Sequence, residues 1–171
     1  DELILADGTY NGFTITVDNV QVVAGNILGA VITSRVNVDA NNCVLFGLDI
    51  NGASVIVGDN GNAANCRQWR CRVRDGSGIA VRLFNAPDFD GAYNHITNWD
   101  GRGFLFHMLD APRPVWRYSL FSDAPGGTSG NNGEAMHYGT GASPETVVGG
   151  LVYRCKFKDW IFSDEGEGIS V

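Results

Sequence analysis

The chain lacks a long apolar run: 44% of its 171 residues are hydrophobic, but no run approaches the roughly 18 residues of a membrane-spanning helix. Lysine is scarce, since Lys156 and Lys158 are the only two, and the formal net charge is -7. A nucleic-acid-binding protein needs a basic face that neutralises phosphates, so this charge balance argues against that class. The signals that begin and end helices are also almost absent, which argues against a helical repeat.

Metal-binding cysteine spacings such as CxxC are absent as well. The four cysteines stand at positions 43, 66, 71 and 155. Cys66 and Cys71 are near enough in sequence to form a disulfide, but cysteines that recur at equivalent positions of a repeat favour stacked, buried thiols that pack as small apolar groups. The cysteines alone leave the redox compartment open.

Glycine, in contrast, is abundant. The 23 glycines follow no collagen-like period and therefore indicate many tight turns. Between the turns lie short runs of β-forming residues, such as Phe13–Val17, Val44–Leu48 and Ile79–Leu83. Such runs, bounded by glycine, asparagine and aspartate, are typical of an all-β fold.

The β-rich runs repeat with a period in the low twenties. Equivalent places, separated in turn by 23, 24, 24 and 36 residues, are occupied by Leu48, Cys71, His95, Ser119 and Cys155. The last separation equals one repeat plus a loop. A repeat of strands and turns of this length predicts a right-handed, single-stranded parallel β-helix of about six to seven coils. A leucine-rich repeat would need a leucine spacing that is missing here, and a β-sandwich does not account for the regular phase.

The repeat also assigns roles to individual residues. Asn42 and Asn65 precede equivalent strands and are expected at corners with left-handed backbone geometry. His95 falls in the inward column and is expected to be a core or near-core residue and not a catalytic base. Residues 1–171 are expected to form one domain, with residues 123–134 as an inserted loop of the kind that shapes binding grooves in solenoids.

Both ends of the sequence lie within β-rich segments. Asp1 and Glu2 lead directly into a strand pattern, and another such pattern ends at Val171. Uncapped solenoid ends expose open strand edges. We therefore expect either a segment of a longer chain or a unit whose ends are covered by partners, including end-to-end self-association.

Charged residues are unevenly distributed along the chain. Eight arginines between positions 67 and 117 crowd the middle, where they suit an anionic sugar or simply face water from the strands. Near the C-terminus, Glu165 and Glu167 leave the same face of a strand because side chains alternate with a period of two. A hard cation such as calcium between them would relieve their repulsion, whereas a solvated acidic terminus needs no ligand.

Four segments of the sequence follow one another in a recognisable order: LILADGTYNG (residues 3–12), NCVLFGL (42–48) with Asn51-Gly52 after it, NNGEAMHYG (131–139) and EGEGIS (165–170). Together they resemble the family-six polysaccharide lyases, the alginate lyase and chondroitinase B group. The first two segments resemble the opening coils of that family, the third its NGGE-x-I-R-x-G segment and the fourth its E-x-E-x-I-S segment. The resemblance covers essentially the whole chain, and its last two segments are the more specific.

The resemblance implies calcium-assisted β-elimination on a uronic-acid polysaccharide such as alginate, in a secreted, periplasmic or extracellular setting. It implies Asn131, Glu165 and Glu167 as calcium ligands, with Asn132 as an alternative to Asn131, and it places Glu134 beside the substrate. Calcium would neutralise the substrate carboxylate and acidify the proton at C5. A lysine would then remove that proton while an arginine assists the leaving oxygen.

Two departures from the family pattern bear on activity. His137 stands where the family has arginine, so a permanent positive charge is replaced by a hydrogen-bond donor or a pH-sensitive cation. With Arg102 it completes the candidate substrate-binding residues. The base lysine of the family would fall at position 172 and its arginine on the next coil, whereas the sequence ends at Val171. No catalytic residue is therefore assigned within these 171 residues.

Three functions are consistent with the sequence. The first is a polysaccharide lyase that acts on alginate or a similar uronan. The second is a non-catalytic β-helical module, used as a fibre or phage-tail part or for carbohydrate binding. The third is a pectin-type β-helix enzyme of another family, for which Asp88 and Asp90 offer a candidate acidic cluster. Calcium is the one cofactor suggested, since the glycines form no phosphate-cradling loop.

Overall fold

The computed structural model of the chain describes residues 1–99, 106–108, 111–124, 136–138, 149–160 and 169–170. These residues form 21 short β-strands and no helix, so the described part of the chain contains no helix able to cross a membrane. In chain order the strands are β1 (Glu2–Leu5), β2 (Gly8–Tyr10), β3 (Phe13–Ile15), β4 (Gln21–Ala24), β5 (Ala30–Ile32), β6 (Val36–Val38), β7 (Val44–Phe46), β8 (Asp49–Asn51), β9 (Val55–Val57), β10 (Arg67–Trp69), β11 (Arg72–Arg74), β12 (Val81–Leu83), β13 (Asp90–Ala92), β14 (His95–Thr97), β15 (Phe106–Met108), β16 (Val115–Arg117), β17 (Leu120–Ala124), β18 (Met136–Tyr138), β19 (Leu151–Tyr153), β20 (Lys156–Trp160) and β21 (Ile169–Ser170).

Every third strand hydrogen-bonds to its equivalent in the next coil, so the described strands build three parallel, seven-stranded sheets. Sheet A has the order β1-β4-β7-β10-β13-β16-β19, sheet B the order β2-β5-β8-β11-β14-β17-β20, and sheet C the order β3-β6-β9-β12-β15-β18-β21. Each coil adds one strand to each sheet. The described strands therefore stack as seven coils, and the predicted parallel β-helix is confirmed.

The core consists of inward columns formed by equivalent residues of successive coils. In sheet B one column runs through Ile32, Ile50, Val73, Ile96 and Phe121, and all five side chains are fully buried. The column follows from the alternation of side chains along each strand, which directs the flanking residues to the opposite face. Burial of one such side chain contributes roughly 1.5–3 kcal/mol, so these columns hold the coils together.

In the inward column of sheet A, one large side chain lies above a glycine. Trp116 is fully buried, and its ring centroid lies 5.6 Å from that of Phe89 and 6.0 Å from that of Phe121. In the preceding coil Gly91 pairs with Trp116, and a Cβ atom at Gly91 would lie 2.6 Å from the indole ring. The absence of a side chain at Gly91 therefore makes room for the indole.

The corner that leads into sheet A has a left-handed backbone in successive coils. Asn19, Asn42 and Asn65 have φ values of 63°, 55° and 55° there. In the next two coils the same corner is held by Asp88, with φ 58°, and by Arg113, with φ 55°. Asparagine and aspartate tolerate this region because their short polar side chains bond to nearby backbone. The predicted corner roles of Asn42 and Asn65 are confirmed.

All four cysteines are free thiols, and all lie in the described part of the chain. Cys43, Cys66 and Cys71 are buried, and Cys155 is half-buried. Burial raises the pKa of the Cys66 thiol and that of the Cys71 thiol to about 12. The predicted buried thiols are confirmed, and the alternative disulfide between Cys66 and Cys71 is not formed.

The burial of these thiols predicts slow alkylation. In the folded protein at about pH 8, we expect Cys66 and Cys71 to react with iodoacetamide at least roughly a hundredfold more slowly than in guanidinium chloride, because thiolate is the reactive form of cysteine. Peptide mass spectrometry after timed labelling measures each rate, with half-buried Cys155 as an internal reference. Equal rates for Cys66 and Cys71 in folded and unfolded protein would contradict the expectation.

The prediction that His95 lies in an inward column is wrong. The equivalent of Cys71 in the next coil is Asn94, whose amide oxygen accepts from the Cys71 N–H at 3.0 Å and whose amide nitrogen donates to the Gln68 carbonyl at 2.7 Å. His95 pairs with Arg72 and is half-buried on the outward face of sheet B. A hydrophobic pattern does not reveal a polar residue in the core, because only its hydrogen bonds show that it is satisfied there.

The predicted inserted loop, residues 123–134, overlaps the end of β17. Asp123 and Ala124 form the end of that strand, and the remainder of the loop lies outside the described residues. Strand β17 belongs to sheet B and β18 to sheet C. The insertion is therefore part of the connection from sheet B to sheet C.

Candidate functional site

The two most specific segments of the lyase resemblance include neighbouring strands of sheet C. Strand β18 begins at Met136 and β21 at Ile169, and these two residues pair in the parallel ladder. The next residues, His137 and Ser170, also pair. Residues that are far apart in sequence therefore meet at one end of sheet C, which makes this end the candidate site.

Most of the predicted site residues lie outside the described residues, namely Arg102, Asn131, Glu134, Glu165 and Glu167. His137 is the middle residue of β18. Within the described part of the chain, no group of three or more His, Cys, Asp or Glu side chains is placed to hold a metal ion. Calcium binding by Asn131, Glu165 and Glu167 stays a prediction. It is based on the chemistry of these residues, because two carboxylates and an amide oxygen are the hard ligands that calcium prefers.

In sheet C, one row of paired residues contains arginine and histidine and extends to the end formed by β18 and β21. Strands β12, β15, β18 and β21 align Arg82, His107, His137 and Ser170 at equivalent positions. Arg82 is half-buried, its guanidinium carbon lies 4.3 Å from the ring centroid of Phe84, and burial lowers its pKa. A guanidinium stays charged at physiological pH. The row therefore begins with a permanent cation and continues with two imidazole positions, a residue type whose charge depends on pH.

A buried carboxylate with two arginines lies on sheet B. Asp49 is 1% exposed. Arg72 donates to it through Nε and Nη2 at 3.0 and 2.6 Å, and Arg74 donates through Nε and Nη2, both at 3.0 Å. Burial by itself raises the pKa of Asp49, but the hydrogen bonds from both arginines outweigh burial and hold the pKa below its ordinary value. The carboxylate is thus ionised and fully engaged, which suits a structural role and not that of a general base.

A second polar group on sheet B surrounds His95. Its Nε2 lies 2.9 Å from Ser122 Oγ, while the hydroxyls of Ser122 and Thr97 donate to Asp123 Oδ2 at 2.8 and 3.0 Å. Burial, and then the charge of Arg72, lower the pKa of His95, so the imidazole is neutral at pH 7. Ser122 Oγ has one proton and lies within hydrogen-bond distance of Asp123 Oδ2 and of Thr97 Oγ1 as well as of the imidazole, so these contacts do not single out the hydroxyl-to-imidazole bond of an activated serine nucleophile.

Asp88 and Asp90, the acidic cluster of the pectin-type hypothesis, each form an ion pair with an arginine. Arg113 donates to Asp88 through Nε and Nη2, both at 2.6 Å. Arg117 donates to Asp90 at 3.0 and 2.7 Å, and Trp69 Nε1 donates to the same carboxylate at 3.2 Å. Two carboxylates with separate arginine partners do not form the cluster that this hypothesis requires.

The chain matches no family model, no curated protein and no solved structure. The resemblance to the family-six polysaccharide lyases therefore stays a prediction that depends on the four segments quoted above.

The sequence reasoning missed a group of aromatic residues next to sheet A. Tyr93 and Tyr118 directly precede the inward residues Asn94 and Ser119, and their rings stack. In the sequence they could have been found by comparing the residues that directly precede the inward position of each repeat, which are arginine or tyrosine in four successive coils. The one-residue error at His95 removed Tyr93 from that series.

Proposed function

We propose that this chain is a polysaccharide lyase-like β-helix that binds an acidic uronan such as alginate, with calcium, at the end of sheet C formed by β18 and β21. The pairing of Met136 with Ile169 carries the proposal, because it supports a common site for the two most specific segments of the family resemblance. The reaction class is β-elimination. The proposed setting is secreted or periplasmic.

The proposed calcium ligands are Asn131, Glu165 and Glu167, and the proposed sugar-binding residues are Arg102, Glu134 and His137. When bound, calcium supplies positive charge against the substrate carboxylate. Arg102 provides N–H donors that suit a further carboxylate of the polymer. His137 provides a hydrogen bond whose strength depends on pH, because protonation of the imidazole adds a charge.

A non-catalytic carbohydrate-binding module is the second candidate. The two lysines of the chain, Lys156 and Lys158, lie on β20 in sheet B, whereas β18 and β21 belong to sheet C. Elimination needs a base within hydrogen-bond reach of the proton it removes. Neither lysine on β20 is therefore a candidate for the base at the end of sheet C, and a module that binds the uronan without cleavage needs no base there.

Calcium titration in the absence of sugar tests the proposed ligands. We expect saturable calcium binding by the wild type in isothermal titration calorimetry, and binding at least roughly tenfold weaker in Glu165→Gln, because one carboxylate ligand is neutralised. Glu2→Gln is the matched control, since it removes the same charge from an exposed residue of the first coil. The control should bind like the wild type. Wild-type protein that binds no calcium would contradict the proposal.

Incubation with alginate separates the two candidate functions. Unsaturated uronic ends absorb ultraviolet light, so a calcium-dependent rise in absorbance supports the lyase. Calcium-dependent binding of alginate without that rise supports the non-catalytic module. A protein that binds alginate equally with calcium and with a chelator argues against the proposed site at sheet C.

A further inference from the structure

Four successive coils have an arginine or a tyrosine at the corner that leads from sheet A to sheet B. Arg70, Tyr93, Tyr118 and Arg154 have φ values of 54°, 57°, 53° and 51°, in a region that is costly for residues with a Cβ atom. In the coil before them the corner is held by Gly47, with φ 72°. Burial does not explain the larger residues, because Tyr93 is 53% exposed and Tyr118 37%.

Ring contacts connect these residues along the helix axis. The rings of Tyr93 and Tyr118 are parallel within 6°, with centroids 5.1 Å apart, and Tyr153 meets Tyr118 edge to face at 5.6 Å. The guanidinium carbon of Arg70 lies 5.8 Å from the Tyr93 centroid, and that of Arg154 lies 5.1 Å from the Tyr153 centroid. These five residues are here named the arginine–tyrosine ladder. Cation–π contacts of this kind restrain both guanidinium groups at the surface.

The arginines of the ladder have no acidic partner among the described residues. The arginine–aspartate pairs of the described chain involve other arginines: Arg72 and Arg74 with Asp49, Arg74 with Asp75, Arg113 with Asp88, and Arg117 with Asp90. Arg67 of sheet A also lacks such a partner, and its guanidinium carbon lies 5.1 Å from the Trp69 ring centroid. A chain of net charge -7 therefore has uncompensated positive charge along one narrow surface, which attracts anions.

A cavity of about 440 Å³ lies beside the first residues of the ladder, and it is lined by Phe46, Trp69, Arg70, Ala92, Tyr93 and Arg117. Asp90 fixes one wall, because it accepts hydrogen bonds from Arg117 at 2.7 and 3.0 Å and from Trp69 Nε1 at 3.2 Å. The volume suits a small ring-shaped group. Arg117 is paired with Asp90, so the positive charge of the cavity comes from Arg70, and together with the apolar surface it favours a group with both C–H faces and a negative charge.

We propose that the ladder and this cavity bind an acidic polysaccharide that lies along the helix axis. A guanidinium stacked on a ring keeps its in-plane N–H donors available for the bidentate hydrogen bonds that carboxylates accept. The four corner residues of the ladder recur at the spacing of parallel strands, roughly 4.8 Å, so Arg70 and Arg154 lie three coils, roughly 14 Å, apart. A polymer with regularly spaced carboxylates therefore contacts several of them, whereas a small anion contacts one. The aromatic and apolar side chains pack against the C–H faces of the sugars.

This site is separate from the calcium site proposed above and goes beyond that function. The ladder lies where sheet A meets sheet B, whereas β18 and β21 belong to sheet C. Because its arginines supply the positive charge, the site needs no metal. Single-stranded nucleic acid also stacks on aromatic side chains, but its affinity depends on neutralising many phosphates, and the ladder has only two arginines, Arg70 and Arg154.

Binding of alginate oligosaccharides in a calcium chelator tests the site. We expect Arg70→Asn and Arg154→Asn each to weaken the binding measured by calorimetry by roughly tenfold, because charge-assisted hydrogen bonds are lost. Asparagine is tolerated at left-handed corners, so both variants should keep the wild-type circular dichroism spectrum. Arg113→Asn is the matched control, because Arg113 has φ 55° and an exposed guanidinium at a different corner. It should change the affinity by less than about twofold.

Three outcomes would overturn the inference. The first is a wild-type protein that binds no alginate in the chelator, and the second is an affinity of both ladder variants equal to that of wild type. The third is binding of neutral dextran or of a single-stranded DNA oligomer at least as tight as that of alginate. None of them touches the calcium titration of Glu165→Gln, so failure of the ladder site and failure of the calcium site are distinguishable.

Discussion

Replacing Asp49 by asparagine should lower the free energy of unfolding by about 3–5 kcal/mol, the range for breaking a buried ion pair. The carboxylate is 1% exposed and accepts hydrogen bonds from both Arg72 and Arg74. An asparagine has one acceptor oxygen and no charge, so it leaves Arg72 without a counter-ion and Arg74 with Asp75 alone. Arg72 and Arg74 are 33% and 26% exposed. Water therefore solvates part of their charge, and we expect a loss of unfolding free energy near the lower end of this range.

The matched control is Asp88→Asn. Asp88 and Arg113 form a pair of similar geometry at 2.6 Å, but their side chains are 38% and 63% exposed. Exposed pairs of this kind contribute little to stability, so the control should lose much less free energy of unfolding than Asp49→Asn. Urea unfolding followed by circular dichroism measures both changes. Equal losses in the two variants would show that burial does not set the importance of the Asp49 pair.

The substitution of Asp49 should also reduce the acid sensitivity of the fold. The pKa of Asp49 in the folded protein lies below its ordinary value of 3.8, because the bonds to the arginines outweigh burial. Its contribution to stability is therefore complete above that ordinary value and is lost as the pH falls through the folded pKa. Unfolding free energies at about pH 6 and about pH 3 should differ less in Asp49→Asn than in wild type. An unchanged difference would contradict the assignment.

Replacing Trp116 by alanine should cost about 3–5 kcal/mol, as expected for removal of a large aromatic side chain from a core. The side chain is fully buried between the rings of Phe89 and Phe121. The neighbouring coils cannot move together to fill the space, because their spacing is set by the hydrogen bonds of the parallel ladders. Chemical denaturation with tryptophan-independent detection by circular dichroism measures the loss. A change below about 1 kcal/mol would be inconsistent with a rigid cavity.

Substitution of Gly91 tests the direct contact between its backbone and the Trp116 ring. Gly91→Ala alone should cost about 1–3 kcal/mol as overpacking, because its Cβ would lie 2.6 Å from the Trp116 ring. In the Trp116→Ala background the same change should be close to neutral, so the two effects should fail to add. Gly76→Ala is the control, because its Cβ would meet Trp99 at 2.2 Å and not Trp116. The Gly76 effect should add to that of Trp116→Ala, and additivity at Gly91 as well would contradict the direct contact.

The fold followed from the sequence because the repeat is visible in the apolar residues, which occupy the inward columns at nearly constant spacing. In the coil that contains β14, the sequence did not predict which residue points inward. The inward residue there is Asn94, a hydrogen-bonded polar residue and not an apolar one. Assigning that place to His95 hid Tyr93, and with it the ladder formed with Tyr118. The fold was thus predicted correctly, but the tyrosines on the surface were missed because the hydrogen bonds of one buried amide, that of Asn94, are not visible in the sequence.

The candidate site was only partly predictable for a different reason. The segments with Asn131 and with Glu165 could be found by resemblance, but the pairing of β18 with β21 depends on the lengths of the connections between coils. The role of Asp49 was also hidden, because an aspartate in a strand usually faces water. Its burial depends on Arg72 and Arg74, residues of the next coil.

The stacking of equivalent residues has a consequence for how this chain folds. Neighbouring coils are joined by hydrogen bonds that span about 23 residues, as between Cys71 and Asn94. The entropy lost on closing a loop of this length grows only slowly with further length. Loop closure is therefore inexpensive at each step, and a coil formed anywhere provides a template for the next. We expect folding to spread from a nucleus of a few coils to the neighbouring coils.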